Sequence, residues 1–375
     1  MMRRRPILIR AALVGAALCA LAPSARAAGE DSCDVRAPRV VAVGDVHGAY
    51  DSFLAILREA GLVDERARWS GGTAHLVQLG DLLDRGSDAR RVLDLLVRLE
   101  GEARRAGGRV HALLGNHEVM NLLGDLRYVQ AAEYESFREA GSQERRQRFL
   151  DSATRRARES ARAAGEAFDE SGFRARFLAR TPLGFVERTA ALTPEGRYGR
   201  WLRERPGIAR VNGVVFVHGG LTPEVAALGC AGIARTVQRE ITVDEEKTRA
   251  APLSTLVAGE NGPLWYRGLA RGDEAALAPA LEQVLQAVGA RALVIGHTVT
   301  GDGRLRSRFG GRVLMIDAGM TAEYGGHAAA LEIAGDGAMT ALYPGRREPV
   351  AGAAAAALGD TRPQQFSLAG PAARD

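Results

Sequence analysis

Val40-Val41-Ala42-Val43-Gly44-Asp45-Val46-His47-Gly48 joins an apolar run to a glycine, and then to an aspartate and a histidine two residues apart. The same punctuation returns at Leu76-Val77-Gln78-Leu79-Gly80-Asp81 and at Val110-His111-Ala112-Leu113-Leu114-Gly115-Asn116-His117-Glu118. Each reads as a buried strand of aliphatic residues that stops at a glycine and delivers a metal-competent side chain. Strands of a parallel sheet point one way, so residues just past their carboxyl ends gather on one edge, where open α/β sheets bind ligands. Three such ends bring Asp45, His47, Asp81, Asn116 and His117 towards that edge.

Outward from these strands, Phe53, Leu54, Ile56 and Leu57 supply the buried face of a helix from about Asp51 to Ala60, with Asp51 as its N-cap. A second amphipathic helix turns Val92, Leu93, Leu95, Leu96 and Leu99 inward, and Gly107-Gly108 ends it. The β-α-β-α-β order predicts right-handed crossovers and a largely parallel first half, hence an α/β fold. Residues 121 to about 208 are rich in Arg, Glu and Ala, and they predict a helical insert or cap, with a solvated helical appendage as the alternative. Strand character returns at 214–217 before His218-Gly219-Gly220, at 292–295 before Gly296-His297, and at 312–316 before Asp317-Ala318-Gly319. Segments 327–333 and 338–343 predict a closing hairpin around Gly335-Asp336-Gly337. From Ala351 onward Ala, Gly and Pro dominate without periodicity, which predicts a disordered tail over 351–375.

With 375 residues, 46% apolar and 25% charged, the chain can bury a sizeable core. Its beginning reads as an address rather than as fold. Arg3, Arg4 and Arg5 form a basic region, Ala11 to Ala22 an apolar one, and Ala25-Arg26-Ala27 a cleavage signal, so residues 1–27 predict a signal peptide cut after Ala27. The apolar run is too short for a stable membrane span. Arg4-Arg5 also resembles a twin-arginine export signal, and Leu18 before Cys19 argues against a lipid anchor. The expected destination is the periplasm. Removing residues 1–27 takes away five arginines and no acid, which lowers the formal charge from +5 to neutral and removes the main support for a nucleic-acid surface. Cys33 and Cys230 remain, and in an oxidising compartment they could pair or stay free.

The strand ends together offer Asp45, His47, Asp81, Asn116, His218 and His297, oxygen and imidazole donors with no thiolate. Such a set suits manganese, iron or zinc. Six ligands exceed the need of one ion, whereas two ions about 3.5–4 Å apart that share a carboxylate would use them all. Asp81, midway in chain order, is the natural bridge.

Gly44-Asp45-Val46-His47-Gly48, Gly80-Asp81-Leu82-Leu83-Asp84-Arg85-Gly86, Gly115-Asn116-His117-Glu118, His218-Gly219-Gly220 and Gly296-His297 resemble, in order, the motifs of the phosphoprotein phosphatases within the calcineurin-like metallophosphoesterases. The run from Gly115 to Val129 and Leu264-Trp265-Tyr266-Arg267-Gly268 resemble the Shewanella-like bacterial branch. The resemblance covers about residues 38–345. It implies a β-sandwich of two mixed sheets flanked by helices, and two divalent cations, manganese first and iron or zinc as alternatives. One ion would take Asp45, His47 and Asp81, and the other Asp81, Asn116, His218 and His297. A hydroxide bridging the ions would attack a phosphomonoester of a phosphorylated protein or peptide (serine, threonine or tyrosine), with no phosphoenzyme.

Beside the ligands, His117 is placed to face the leaving oxygen as a general acid, with Asp84 orienting it. Arg85 and Arg267, with Asn116 and Tyr324, are the phosphate-binding candidates. Arg85 has a plainer reading as an ion partner of Asp88, and Arg267 as a surface residue. His75, His111 and His327 lie outside the motifs and are read as structural, while Glu118 and Asp317 are read as supports for turns or for ligand orientation. Two other activities compete: a diadenosine-tetraphosphate hydrolase, which shares the early motifs, and a non-catalytic phosphopeptide-binding module, which would have lost ligands or the Asp84–His117 pair. No nucleic-acid partner and no stable membrane anchor are expected.

Overall fold

A computed structural model describes residues 32–350. The leader predicted at 1–27 and the tail predicted at 351–375 lie outside them. Two mixed sheets face one another. The first is built on β1 (Arg39–Val43), β2 (His75–Gln78) and β3 (Arg109–Ala112), which run parallel with Val40 beside His75 and His75 beside Arg109. β9 (Ala330–Ala334) adds antiparallel to β1, followed by β10 (Met339–Tyr343) and β11 (Arg346–Pro349), giving the order β11-β10-β9-β1-β2-β3. In the second sheet β5 (Val214–Val217), β6 (Ala292–Ile295) and β8 (Val313–Met315) are parallel, and β4 (Ile208–Val211) and β7 (Arg306–Arg308) close its edges antiparallel.

Alternation along the strands explains the layers. Val40 and Ala42 of β1 join Phe216, Val294, Leu314, Leu331 and Ile333 in an apolar layer drawn from both sheets. Their neighbours Val41 and Val43 turn outward, into a second layer with helix residues. A strand buried on both faces must be apolar throughout, which is why these strands read as unbroken aliphatic runs. α1 (Tyr50–Glu59) buries the four residues its periodicity assigns, and α2 (Ala89–Arg105) buries Val92, Leu93, Leu95, Leu96 and Leu99. Asp51 is not the N-cap of α1: Ala49 holds that position without a side-chain bond, and Asp51 sits in the first turn, where a negative charge still suits the helix dipole.

β3 stops at Ala112 instead of 114, and β8 is shorter than 312–316. The closing hairpin is present, with Ala334 N–H donating to Ala338 O at 2.9 Å, but β9 begins three residues later than 327. Between β3 and β4 the chain is helical: α3 (Asn116–Leu123), α4 (Ala131–Ser136), α5 (Ser142–Ala164), α6 (Glu170–Arg180), α7 (Phe185–Leu192) and α8 (Arg197–Arg203). After the short α9 (Pro223–Ala226), α10 (Gly229–Ile241) carries Cys230, which is disulfide-bonded to Cys33. The choice the sequence leaves open is thus settled as a pair. Among the described residues, no helix is long and apolar enough to cross a membrane.

Candidate metal centre and active site

Register brings the donors together. β1, β2 and β3 end level, so Gly44-Asp45, Gly80-Asp81 and Gly115-Asn116 emerge on one edge of the first sheet. Val217, Ile295 and Met315 end level in the second sheet, and His218, His297 and Asp317 follow them. The two edges meet over a cavity of about 270 Å³ lined by Asp45, His47, Asp81, Asn116, His117 and His297, with Arg85, Arg267 and Tyr324 around it.

The backbone is held in unusual conformations there. His47, Asp81, Asp84, Arg85 and His297 all have φ between +46° and +68°, five of the eight non-glycine residues with positive φ among those described. Each costs roughly 1–3 kcal/mol and persists only where the surroundings over-determine it. Gly80 (φ +95°) passes so close to Gly115 that a Cβ would overlap its backbone, and this contact lets two strand ends converge. Buried Glu118 supports the turns: one oxygen accepts N–H groups of Asp81 (2.7 Å) and Gly115 (2.8 Å), the other those of Leu82 (2.8 Å) and Leu83 (3.2 Å). Bonding from the third residue of α3 back to Gly115 is half of a capping box.

Asp81 stands at the centre. Its Oδ2 lies 3.5 Å from His47 Nε2, 3.3 Å from His218 Nε2 and 3.9 Å from His117 Nε2. Donor atoms of His47, Asp81 and His117 fall within 4.8 Å of one another, and so do those of Asp81, His218 and His297, so Asp81 belongs to both groups. Asp45 Oδ2 is 4.0 Å from His47 Nε2, and Asn116 Oδ1 is 2.9 Å from His218 Nε2. Backbone carbonyls orient two imidazoles, Leu83 O at 2.8 Å from His47 Nδ1 and Leu79 O at 2.9 Å from His218 Nδ1, which leaves each Nε2 facing the cluster.

His117 takes a different part. Its Nδ1 is 2.6 Å from Asp84 Oδ2, so that nitrogen is committed and only Nε2 faces the cavity. Although its proximity would allow it to join His47 and Asp81 as a ligand, the short bond to Asp84 fits an oriented proton donor better.

The electrostatics fit divalent cations. Burial, then Asp317 and Asp81, push Asp45 well above the usual carboxylate range. Burial acts to raise Asp81 too, but His218 and His117 outweigh it and hold that group well below its ordinary value. Burial lowers His47 to about 4, and burial with His218 and Arg267 lowers His297, so both imidazoles are neutral and carry a free lone pair. His297 Nε2 and Asp317 Oδ2 are buried without a hydrogen-bond partner. Buried carboxylates crowded together, beside neutral imidazoles with an orphaned nitrogen, form a donor set that needs positive charge.

The phosphate-binding candidates Arg85, Arg267 and Tyr324 line the same cavity. Arg85 pairs with Glu323 (2.8 Å), not Asp88, and stacks 4.0 Å from the Tyr128 ring centre. Arg267 donates to His297 O and Thr298 Oγ1, and its loop is tied to the His218 turn by Gly219 N–H to Pro263 O (2.8 Å). The Tyr324 ring is 5.9 Å from that of His47. His75 and His111 face each other (3.1 Å) away from this cavity. Asp317, read from the sequence as a support, lines the cavity; sequence reasoning passed over Tyr128 and Arg271 there, and Asn121, Glu133 and Arg188 behind Asp84. Asn121 and Tyr128 lie inside the quoted run from Gly115 to Val129, which is a local signal for both.

The calcineurin-like phosphoesterase family profile matches residues 38–301. Shewanella-like protein phosphatase 2 of Arabidopsis thaliana is 32% identical over 76% of this chain and 71% of its own. Shewanella-like protein phosphatase 1 of Plasmodium berghei is 26% identical over 76% of this chain and 67% of its own. The crystal structure of a cold-active protein-tyrosine phosphatase from a psychrophilic Shewanella species superimposes with a TM-score of 0.64 at 27% identity, covering 85% of this chain and 82% of that one. With the fold, the convergent donor set and these matches in agreement, the chain belongs to the calcineurin-like phosphoesterases.

Proposed function

We propose that this protein is an exported, dinuclear metal-dependent phosphomonoesterase acting on phosphorylated protein or peptide. One observation carries the reading: two donor groups share Asp81, and the Asp84–His117 pair lies beside them at 2.6 Å in the same cavity. The kinship with protein phosphatases supports a phosphoprotein substrate, and the tyrosine phosphatase among them makes phosphotyrosine the first side chain to try. Asp45, His47 and Asp81 would hold one cation, and Asp81, Asn116, His218 and His297 the other, with manganese first and iron or zinc as alternatives. Bound there, divalent cations supply charge neutralisation at phosphate and lower the pKa of coordinated water towards neutrality.

The chain's own residues do the rest. Arg85 and Arg267 offer planar donors to the non-bridging oxygens, and Tyr324 and Asn116 flank them. Water enters in line at phosphorus, so no phosphoenzyme forms. As the bond between phosphorus and the leaving oxygen breaks, His117 Nε2 gives its proton to that oxygen. Asp84, accepting from Nδ1–H, orients the ring and stabilises the doubly protonated imidazolium whose Nε2 carries that proton. Residues 38–345 would form the catalytic unit, with 121–208 as its helical cap. The Cys33–Cys230 disulfide supports an oxidising compartment and, with cleavage after Ala27, a periplasmic address.

The test is a panel assay of the mature protein with manganese, zinc or iron, comparing phosphoserine, phosphothreonine and phosphotyrosine peptides with dinucleotide polyphosphates. The expected result is hydrolysis of the peptides. Preference for dinucleotides would favour the tetraphosphate hydrolase, and peptide binding without turnover the non-catalytic module.

A further inference from the structure

Arg188 of α7 is a guanidinium at 1% exposure, far from any motif. A buried arginine is costly unless its charge and donors are matched. Here Nε and Nη2 both donate to Glu133 Oε1 of α4, at 2.8 and 2.6 Å, and Nη2 also donates to Asn121 Oδ1 of α3 at 2.7 Å. The same Nη2 lies 3.6 Å from Asp84 Oδ1. Glu133 uses its other oxygen, Oε2, to accept the Asp84 N–H at 2.9 Å, fixing the backbone at a residue with φ of +68°. Asn121 Nδ2 donates to both Asp84 oxygens (3.1 and 3.0 Å) and to His117 O (2.9 Å).

We propose that Arg188 and Glu133 are positioning residues for the Asp84–His117 pair, so that the helical segment completes the catalytic apparatus. The proposal rests on the phosphatase reading above. Asp84 faces a general acid with one oxygen; its carboxylate is otherwise met by Asn121 and Arg188, and its N–H by Glu133. Glu133 sets its backbone and Arg188 locks Glu133 and Asn121 into place. A scaffold salt bridge alone would not need this arrangement around the carboxylate bonded to the Nδ1 of the acid.

The test uses the full chain reconstituted with zinc, as wild type, Arg188→Lys and Glu133→Gln. Arg188→Lys keeps the charge but loses the fork that meets Glu133 and Asn121 together. Phenyl phosphate needs a proton on its leaving oxygen, whereas 2,4-dinitrophenyl phosphate departs as a stable anion without one. The expected result is a kcat on phenyl phosphate lowered about 10²-fold, a KM changed by no more than about threefold, and a loss on the dinitrophenyl ester about tenfold smaller. Equal losses on both esters, or a change in KM alone, would overturn the proposal. So would failure of both variants to fold by circular dichroism, which would assign the pair to the scaffold. A second readout is independent of turnover: the downfield NMR resonance of the His117 Nδ1 proton should be sharp in the wild type and broadened by exchange in both variants. An unchanged resonance overturns the positioning role. If the wild type hydrolyses neither ester while the resonance responds as expected, the phosphatase reading alone has failed.

Discussion

Asp84 touches no substrate in this account, yet it controls how His117 behaves. Burial would lower the His117 pKa, but Asp81 and Asp84 outweigh it and raise it. The protonated acid therefore persists to higher pH, and the rate falls as pH rises through that raised value. Asp84→Asn removes one of the charges that raise it and weakens the bond that orients the ring. We predict a kcat lowered about 10²-fold or more, a KM little changed, and an alkaline limb of the kcat profile shifted to lower pH, measured by steady-state kinetics across pH. An unchanged kcat would remove Asp84 from the mechanism. His117 and Asp84 were legible in the sequence because each sits inside a strand-end motif. Arg188 and Glu133 were not, because nothing in the arginine- and glutamate-rich stretch 121–208 distinguishes these two from the charged residues around them. Only tertiary contact with Asp84, 104 and 49 positions away in chain order, gives them a role.

Among the elements, β2 and β3 carry a liability of their own. His111 on β3 packs 3.1 Å from His75 on β2, and burial, followed by Arg109 and His75, lowers it to about 3. Its folded value lies below that of the unfolded imidazole, so the unfolded chain binds the proton more readily. The stability linked to it is present above about pH 6.5 and is lost as pH falls towards 3. At pH 5 the loss from this group is about 2 kcal/mol. Urea unfolding at pH 7 and pH 5 measures it: the wild type should lose more stability on acidification than His111→Leu, and equal losses would contradict the assignment. The elements that sequence reading found best, β1, β2, β5 and β6, are those buried on both faces, where the apolar run is unbroken. The edge strands β7 (Arg-Ser-Arg) and β11 (Arg-Arg-Glu-Pro) escaped it, since half-exposed short strands carry no such run. Asp51 misled for a related reason, because cap chemistry identifies a helix start only to within a residue or two.

Across the whole molecule, two distant constraints converge. The Cys33–Cys230 disulfide ties the leader of the first sheet to α10 beside the second, closing 197 residues of chain. Replacing both cysteines by alanine should lower the stability to urea by about 2–5 kcal/mol, and two free thiols in the unfolded, unreduced protein would contradict the pairing. The other constraint is the junction of the two sheet edges, where Asp45, His47, Asp81, Asn116, His218 and His297 arrive from five strand ends. Elemental analysis of the purified protein after equilibration with manganese, zinc or iron tests that junction most directly. We predict two equivalents of metal per chain, with one lost in His297→Ala and both weakened in Asp81→Ala. A stoichiometry of one or none, or two equivalents retained without the Asp81 carboxylate, would contradict the account.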